Sequence, residues 1–299
     1  MQIPETTMAD WPFWHRAFYL FFPLFLVPRF ISTYFQFEVH HKNYLNNFPE
    51  GTPVIYCINH RSHLDGFIAG SAVVVPRGPR TRIALMGAGN IMQENWFFRL
   101  LPYFGAFPIY SEKSELALNY AVKLLKRGVG IVIAPQGKRI IGTPYHDYFN
   151  LAKEGKTGVG RLILSLNGKI PVIPAYIHGA AEALTRGKII PKFGSYISVS
   201  FGPPIFWKEY TRKNGWKSTD PDFFSTARKI SDKIMVKIRD QMIIQEKSLF
   251  TILERSFGTT IDKSTIHPSK KRRFDKLVFK LVRAHPKQLQ RLIKSESKF

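Results

Sequence analysis

The sequence predicts an α/β fold, a mixed and mostly parallel sheet flanked by helices. Short β-branched runs recur along the chain, and stretches with apolar residues at helical spacing separate them, which is the alternation of a layered α/β domain. Apolar residues make up 44% of the 299, enough for one large domain or two modest ones with a sizeable core. The chain has no internal repeat.

The first element is an apolar, aromatic-rich stretch over 11–37. Its uncharged part, 17–28, is only 12 residues long, is bounded by Arg16 and Arg29, and is interrupted by Pro23. A spanning helix needs about 20 apolar residues, and runs of roughly 10–14 are more often interfacial or buried. Trp11, Trp14, Tyr19 and Tyr34 suit a headgroup boundary. The stretch is therefore expected to form one or two N-terminal interfacial membrane helices lying in one leaflet. A helix packed on the domain core and a true span are the alternatives. A signal peptide is not expected, because the first ten residues carry Glu5 and Asp10 and no Lys or Arg.

Residues 54–58 form a β-branched run that enters a polar loop, and 83–86, 131–134 and 172–176 read as buried strands. Residues 112–127 are expected to be helical: Leu116, Tyr120 and Leu124 share one face, Ala117 and Ala121 the next, and Gly128 follows as a stop. A late strand over 196–201 is closed by Gly202-Pro203-Pro204, and a helix over about 221–245 ends the domain. In the tail, Phe274, Leu277, Val278, Leu281 and Val282 repeat at steps of three and four, with Lys276, Lys280 and Arg283 on other faces. That pattern is a basic amphipathic helix, suited to a membrane surface or a partner, or else to capping the domain. The expected units are 1–37, a membrane-associating helical segment; 38–245, the α/β domain; and 246–299, a basic helical tail.

The charge is uneven. Lys and Arg number 44 against 21 Asp and Glu, a net of +23, and 263–299 alone carries 12 basic residues against Asp275 and Glu296. Such an excess attracts polyanions. Nucleic acid is not expected, because no aromatic-and-basic platform or finger spacing accompanies the charge. An anionic bilayer surface or an acidic carrier is. The single cysteine, Cys57, excludes an internal disulfide and fits a reducing compartment.

The segment with most chemistry is Asn59-His60-Arg61-Ser62-His63-Leu64-Asp65. His60 falls at a strand's end, where side chains of α/β folds face a site. Asp65 falls in the first turns of a helix expected to begin near Ser62. A carboxylate on one imidazole nitrogen fixes the tautomer and leaves the other nitrogen to take a proton. The plainer alternative is a capping box, Ser62-x-x-Asp65, in which Asp65 only ties up backbone donors. His63 is a rival base, less well placed inside the turn.

His60 and Asp65, with four residues between, resemble the His-x4-Asp signature of the glycerolipid acyltransferase superfamily. Gly105-Ala106-Phe107-Pro108-Ile109 is similar to its second block, Ala134-Pro135-Gln136-Gly137-Lys138-Arg139 to its third, and Ile170-Pro171-Val172-Ile173-Pro174 to its fourth. Lys156-Thr157-Gly158 and Phe201-Gly202-Pro203-Pro204-Ile205 resemble its connecting segments, so the likeness runs over about 37–244.

The resemblance implies a direct acyl transfer from acyl-CoA or an acyl carrier protein to the hydroxyl of lysophosphatidate or a related glycerol-phosphate lipid, in phospholipid synthesis at the cytoplasmic face of a membrane. It implies His60 as base, Asp65 as its orienter, no metal or cofactor, and Gln136, Gly137, Lys138 and Arg139 at the acceptor's phosphate. A fork of Arg donors and a Lys point charge suit phosphate oxygens. The sequence departs from the family at three places: Gln136 stands where Glu is usual, Lys138 where Thr is usual, and Ser111 where the second block ends in Arg. A catalytically degenerate fold kept as a membrane-binding scaffold is the competing expectation.

Overall fold

β2 (Ile55–Ile58), all four of whose residues are buried, is the middle strand of the sheet. The computed structural model describes residues 26–49, 51–78, 81–89, 105–110, 112, 114–140, 155–184, 188 and 190–257, and side chains as far as 245. The expectations for 11–25, Ser111 and 258–299 lie outside the described residues.

Seven strands make one sheet: β1 (Gln36–His40), β2, β3 (Ile83–Ala88), β4 (Ala106–Ile109), β5 (Gly130–Ile133), β6 (Val172–His178) and β7 (Tyr196–Phe201). Their spatial order is β1-β7-β6-β2-β5-β3-β4. Every neighbouring pair is parallel except β6 and β7, which are antiparallel. β1 and β7 therefore run against the other five. They enter the sheet at the edge where β2 and β6 leave it.

Burial alternates along the strands as the pleat requires. Ile55 and Cys57 pack to one side with Leu124, Leu162, Ile234 and Trp207. Tyr56 and Ile58 pack to the other side with Ile68, Val73, Ile31 and Phe201. The first layer holds α4 (Ser114–Lys126), α5 (Gly158–Ser165) and α7 (Phe223–Phe257); the second holds α1 (Val27–Tyr34) and α3 (Asp65–Arg77). Two short helices, α2 (Asn43–Asn46) and α6 (Ala180–Ala183), add Leu45, Ala180 and Ala183 to the second layer. The mixed, mostly parallel α/β sheet is the architecture expected from the sequence.

Local chemistry explains most boundaries. α4 ends at Lys126, and Gly128 follows at φ +77°, the left-handed stop that its sequence position suggested. α3 is dense in small residues, and at Gly70 an added Cβ would sit 3.2 Å from Ile83 Cδ1, so the helix lies close on β3. At Gly160 of α5 a Cβ would collide with the carbonyl of Ala227 in α7. Buried Phe223, Ala227, Ile230, Ile234, Ile238 and Met242 step along the inner face of α7 at helical spacing.

Two expectations are corrected. α3 begins at Asp65 rather than near Ser62, because 61–64 form turns whose backbone donors go to the Asp65 carboxylate. α7 does not stop at Gln245 but continues to Phe257; the chain has no Gly or Pro between 245 and Gly258 to stop it. In the described part of the N-terminal stretch, α1 packs on the domain: Ile31 and Phe35 are 2% and 3% exposed, in one core with Ile68 and Ala72 of α3. Among the described residues no helix is long and apolar enough to cross a membrane.

His40, on edge strand β1, carries an acid sensitivity. Burial first, then the charges of His41, Lys42 and His178, lower its pKa from the usual 6.5 to about 4, and the Glu38 carboxylate 3.6 Å away does not offset them. Between those two values the unfolded chain holds a proton that the folded one does not, so stability decreases as pH falls from about 6.5 to about 4. We expect urea midpoints to drop over that window and His40→Gln to flatten the drop. An identical slope in the variant would place the sensitivity elsewhere.

Candidate active site

Where β2 ends, three side chains fix the outgoing loop. Asn59, 1% exposed, donates through Nδ2 to Ile177 O at 3.0 Å and accepts from Ile177 N at 2.7 Å, so the loop is clamped to β6. His60 N donates to Gln136 Oε1 at 2.7 Å, and His60 O accepts from Ile140 N at 2.9 Å. The His60 backbone is thus held on both sides by the loop after β5.

The His60 side chain is held by Asp65. Oδ2 of Asp65 accepts from Arg61 N at 2.6 Å, Ser62 N at 2.7 Å and His60 Nδ1 at 2.9 Å. Asp65 is the first residue of α3, where the positive end of the helix dipole favours an anion. With two backbone donors already on Oδ2, that oxygen is an acceptor, so Nδ1 carries the hydrogen and Nε2 keeps its lone pair. The capping and orienting readings of Asp65 are therefore both satisfied at one atom. Asp65 is 1% exposed and the His60 side chain 26%, a buried carboxylate behind an accessible imidazole. The imidazole on this carboxylate is His60, not its rival His63.

The loop after β5 supplies the other expected residues. Gln136 is buried at 1% exposure; its oxygen serves His60 N, and its Nε2 has no partner among the described residues. It holds the His60 main chain from the side of β5. Gly137 takes φ +67°, and a Cβ there would sit 2.7 Å from Lys156 Cδ. The close neighbour that this glycine admits is the Lys156 stem, whose backbone N donates to Pro135 O at 2.7 Å. Lys138 is exposed and Arg139 partly so, and neither forms an ion pair within the described residues. Lys138, Arg139 and Lys156 thus sit on one loop system beside His60. From sequence, Asn59 and Lys156 stand only within quoted motif segments, with no role of their own. Asn59 precedes the histidine at the strand's end, a position from which its clamp could have been suspected.

Such an imidazole can take a proton from a hydroxyl, and the neighbouring cations can hold an anion. Residues 36–178 match the family model described as Acyltransferase, a span from the first residue of β1 to the last of β6. Residues 36–178 belong to the acyltransferase family. His60 and Asp65, the expected His-x4-Asp pair, both fall within that span. No curated protein matches the chain in sequence. Among solved structures the acyltransferase is similar to the 1-acyl-sn-glycerophosphate (LPA) acyltransferase PlsC from Thermotoga maritima. Identity to it is 14% and the TM-score 0.46, over 78% of this chain and 85% of that one. Among the described residues no three His, Cys, Asp or Glu side chains are grouped to hold a metal ion.

Gln136→Leu should lower stability by about 1–3 kcal/mol, since His60 N would be left without its acceptor. Gln136→Glu, which keeps an oxygen there, should cost less. Equal thermal midpoints for the Leu variant and the parent would mean that the bond contributes nothing.

Proposed function

We propose that this acyltransferase moves a fatty acyl group from a thioester, acyl-CoA or an acyl carrier protein, to the hydroxyl of lysophosphatidate or a closely related glycerol-phosphate lipid. The reading rests on one observation above all: the 2.9 Å contact of His60 Nδ1 with Asp65 Oδ2, which leaves Nε2 as the free base. In the proposed step Nε2 takes the hydroxyl proton as the oxygen attacks the thioester carbonyl. The tetrahedral species collapses, the C–S bond breaks, and the imidazolium returns the proton to the leaving sulfur as a thiol. Asp65 stabilises the imidazolium while it exists. Serine or cysteine chemistry is not needed, and the one cysteine, Cys57, is buried in the core.

The acceptor's phosphate fits the cationic loop. Lys138 stands where the family has Thr, and Ser111 where it has Arg, so the added cation at 138 makes up for the one missing at 111. Gln136 in place of Glu removes a negative charge from a site that must hold two anions, the acceptor and the carrier of the acyl donor. The net charge of +23 draws both toward the surface and favours an anionic membrane face. The carboxylate alone would suit a scaffold, since it also caps the turn; the accessible imidazole oriented on it favours the enzyme.

Purified protein incubated with labelled acyl-CoA and a panel of lyso-acceptors tests this reading. His60→Ala should lower turnover by about a hundred- to ten-thousand-fold while vesicle binding is retained. Equal turnover in the two proteins would refute the assigned base, and no turnover with any donor and acceptor would favour the scaffold.

A further inference from the structure

We propose that the loop entering β7, together with the outer face of α1, is a membrane-docking surface that sets the His60 edge of the sheet against an anionic phospholipid bilayer. The two segments are bolted together. Tyr34 OH donates to Pro191 O at 2.8 Å, Gly194 N donates to Tyr34 O at 2.9 Å, and Gln36 N donates to Ser195 O at 3.0 Å. The Phe193 ring meets Tyr34 edge-on at 5.2 Å between centroids, and Phe30 stacks on the same Tyr34 at 4.9 Å. The surface so formed carries large apolar side chains outward: Ile190 is 78% exposed, Phe193 73%, Phe30 49% and Leu26 39%. Single exposed apolar residues are ordinary, but several held side by side by backbone bonds mark an interaction site.

Charge and position identify the occupant. Exposed Arg29, Lys188 and Lys192 flank the apolar residues, and 26–35 and 188–195 contain no Asp or Glu. Aromatic and aliphatic side chains bordered by cations suit a headgroup layer with negative lipids, whereas a protein partner would more often ask for both signs of charge. The topology places this surface at the site. Gln36 pairs with Tyr196, so β1 and β7 start together, and His178 pairs with Ser198, so they start where β6 ends. Ile58 lies beside Ala175 on β6, and His60 follows two residues on. The docking surface and the imidazole thus share one edge of the sheet, the arrangement that an enzyme with a bilayer-borne acceptor requires. The inference rests on the proposed function for its choice of lipid.

The test uses the full chain and the burial of its single cysteine, Cys57, whose thiol is also pushed up in pKa by that burial. Ile190→Cys and Phe193→Cys are labelled with an environment-sensitive thiol fluorophore. Asn214→Cys is the control, since 214 is exposed and follows the exit of β7 at the opposite edge. With phosphatidylcholine–phosphatidylglycerol vesicles we expect a blue shift and quenching by nitroxide-labelled lipid at 190 and 193 but not at 214, reduced by salt. Unshifted labels at 190 and 193 on vesicle-bound protein, or an equal response at 214, would overturn the proposal. So would labels already blue without lipid and unmoved by it, which would mean that the chain itself or a second copy covers the loop. Turnover of His60→Ala, measured separately, reports on the proposed reaction and not on these labels, so the two can fail independently.

Discussion

A single carboxylate oxygen organises the candidate site. Oδ2 of Asp65 receives two backbone N–H groups of the preceding turn and the imidazole of His60, from the first position of a helix. The turn can therefore form only if the carboxylate faces inward, and when it does the imidazole is oriented without a further residue. Stability of the loop and orientation of Nε2 are thereby coupled. Charge-assisted bonds of this kind are short and strong, and here they lie at a buried atom where water cannot compete.

Around that atom the sheet supplies rigidity from both sides. Asn59 extends the pairing of β2 with β6 by one residue, and Gln136 and Ile140 hold the His60 backbone from the loop after β5. Three of the strands nearest the centre thus converge on one residue. The reversed pair β1 and β7 has another consequence: it brings the exposed rings of Phe30 and Phe193 to the edge where the central strands end.

Much of this was legible in the sequence. The five-residue span from His60 to Asp65 is local, so residue spacing and helix position suffice to bring the groups together. The bond from His60 to Gln136 joins positions 76 apart in the chain, and a side chain serving a distant backbone N–H leaves no pattern to read. β1 was hidden because Gln36–His40, although it alternates polar and apolar residues, is only five residues long and runs straight on from an aromatic stretch. α5 carries glycines at 158 and 160, poor helix formers, and the reason for Gly160 is the carbonyl of Ala227 pressed against it from α7. The direction of β7 could not be read either, since the hydrophobic pattern of a buried strand is the same both ways.

The central claim is that Asp65 fixes His60 with its hydrogen on Nδ1 and its lone pair on Nε2. Nitrogen NMR of the full chain labelled at histidine, with His60 assigned by its loss in His60→Gln, reports that tautomer directly. A neutral His60 ring protonated at Nδ1 is the expected result. A ring protonated at Nε2 would contradict it.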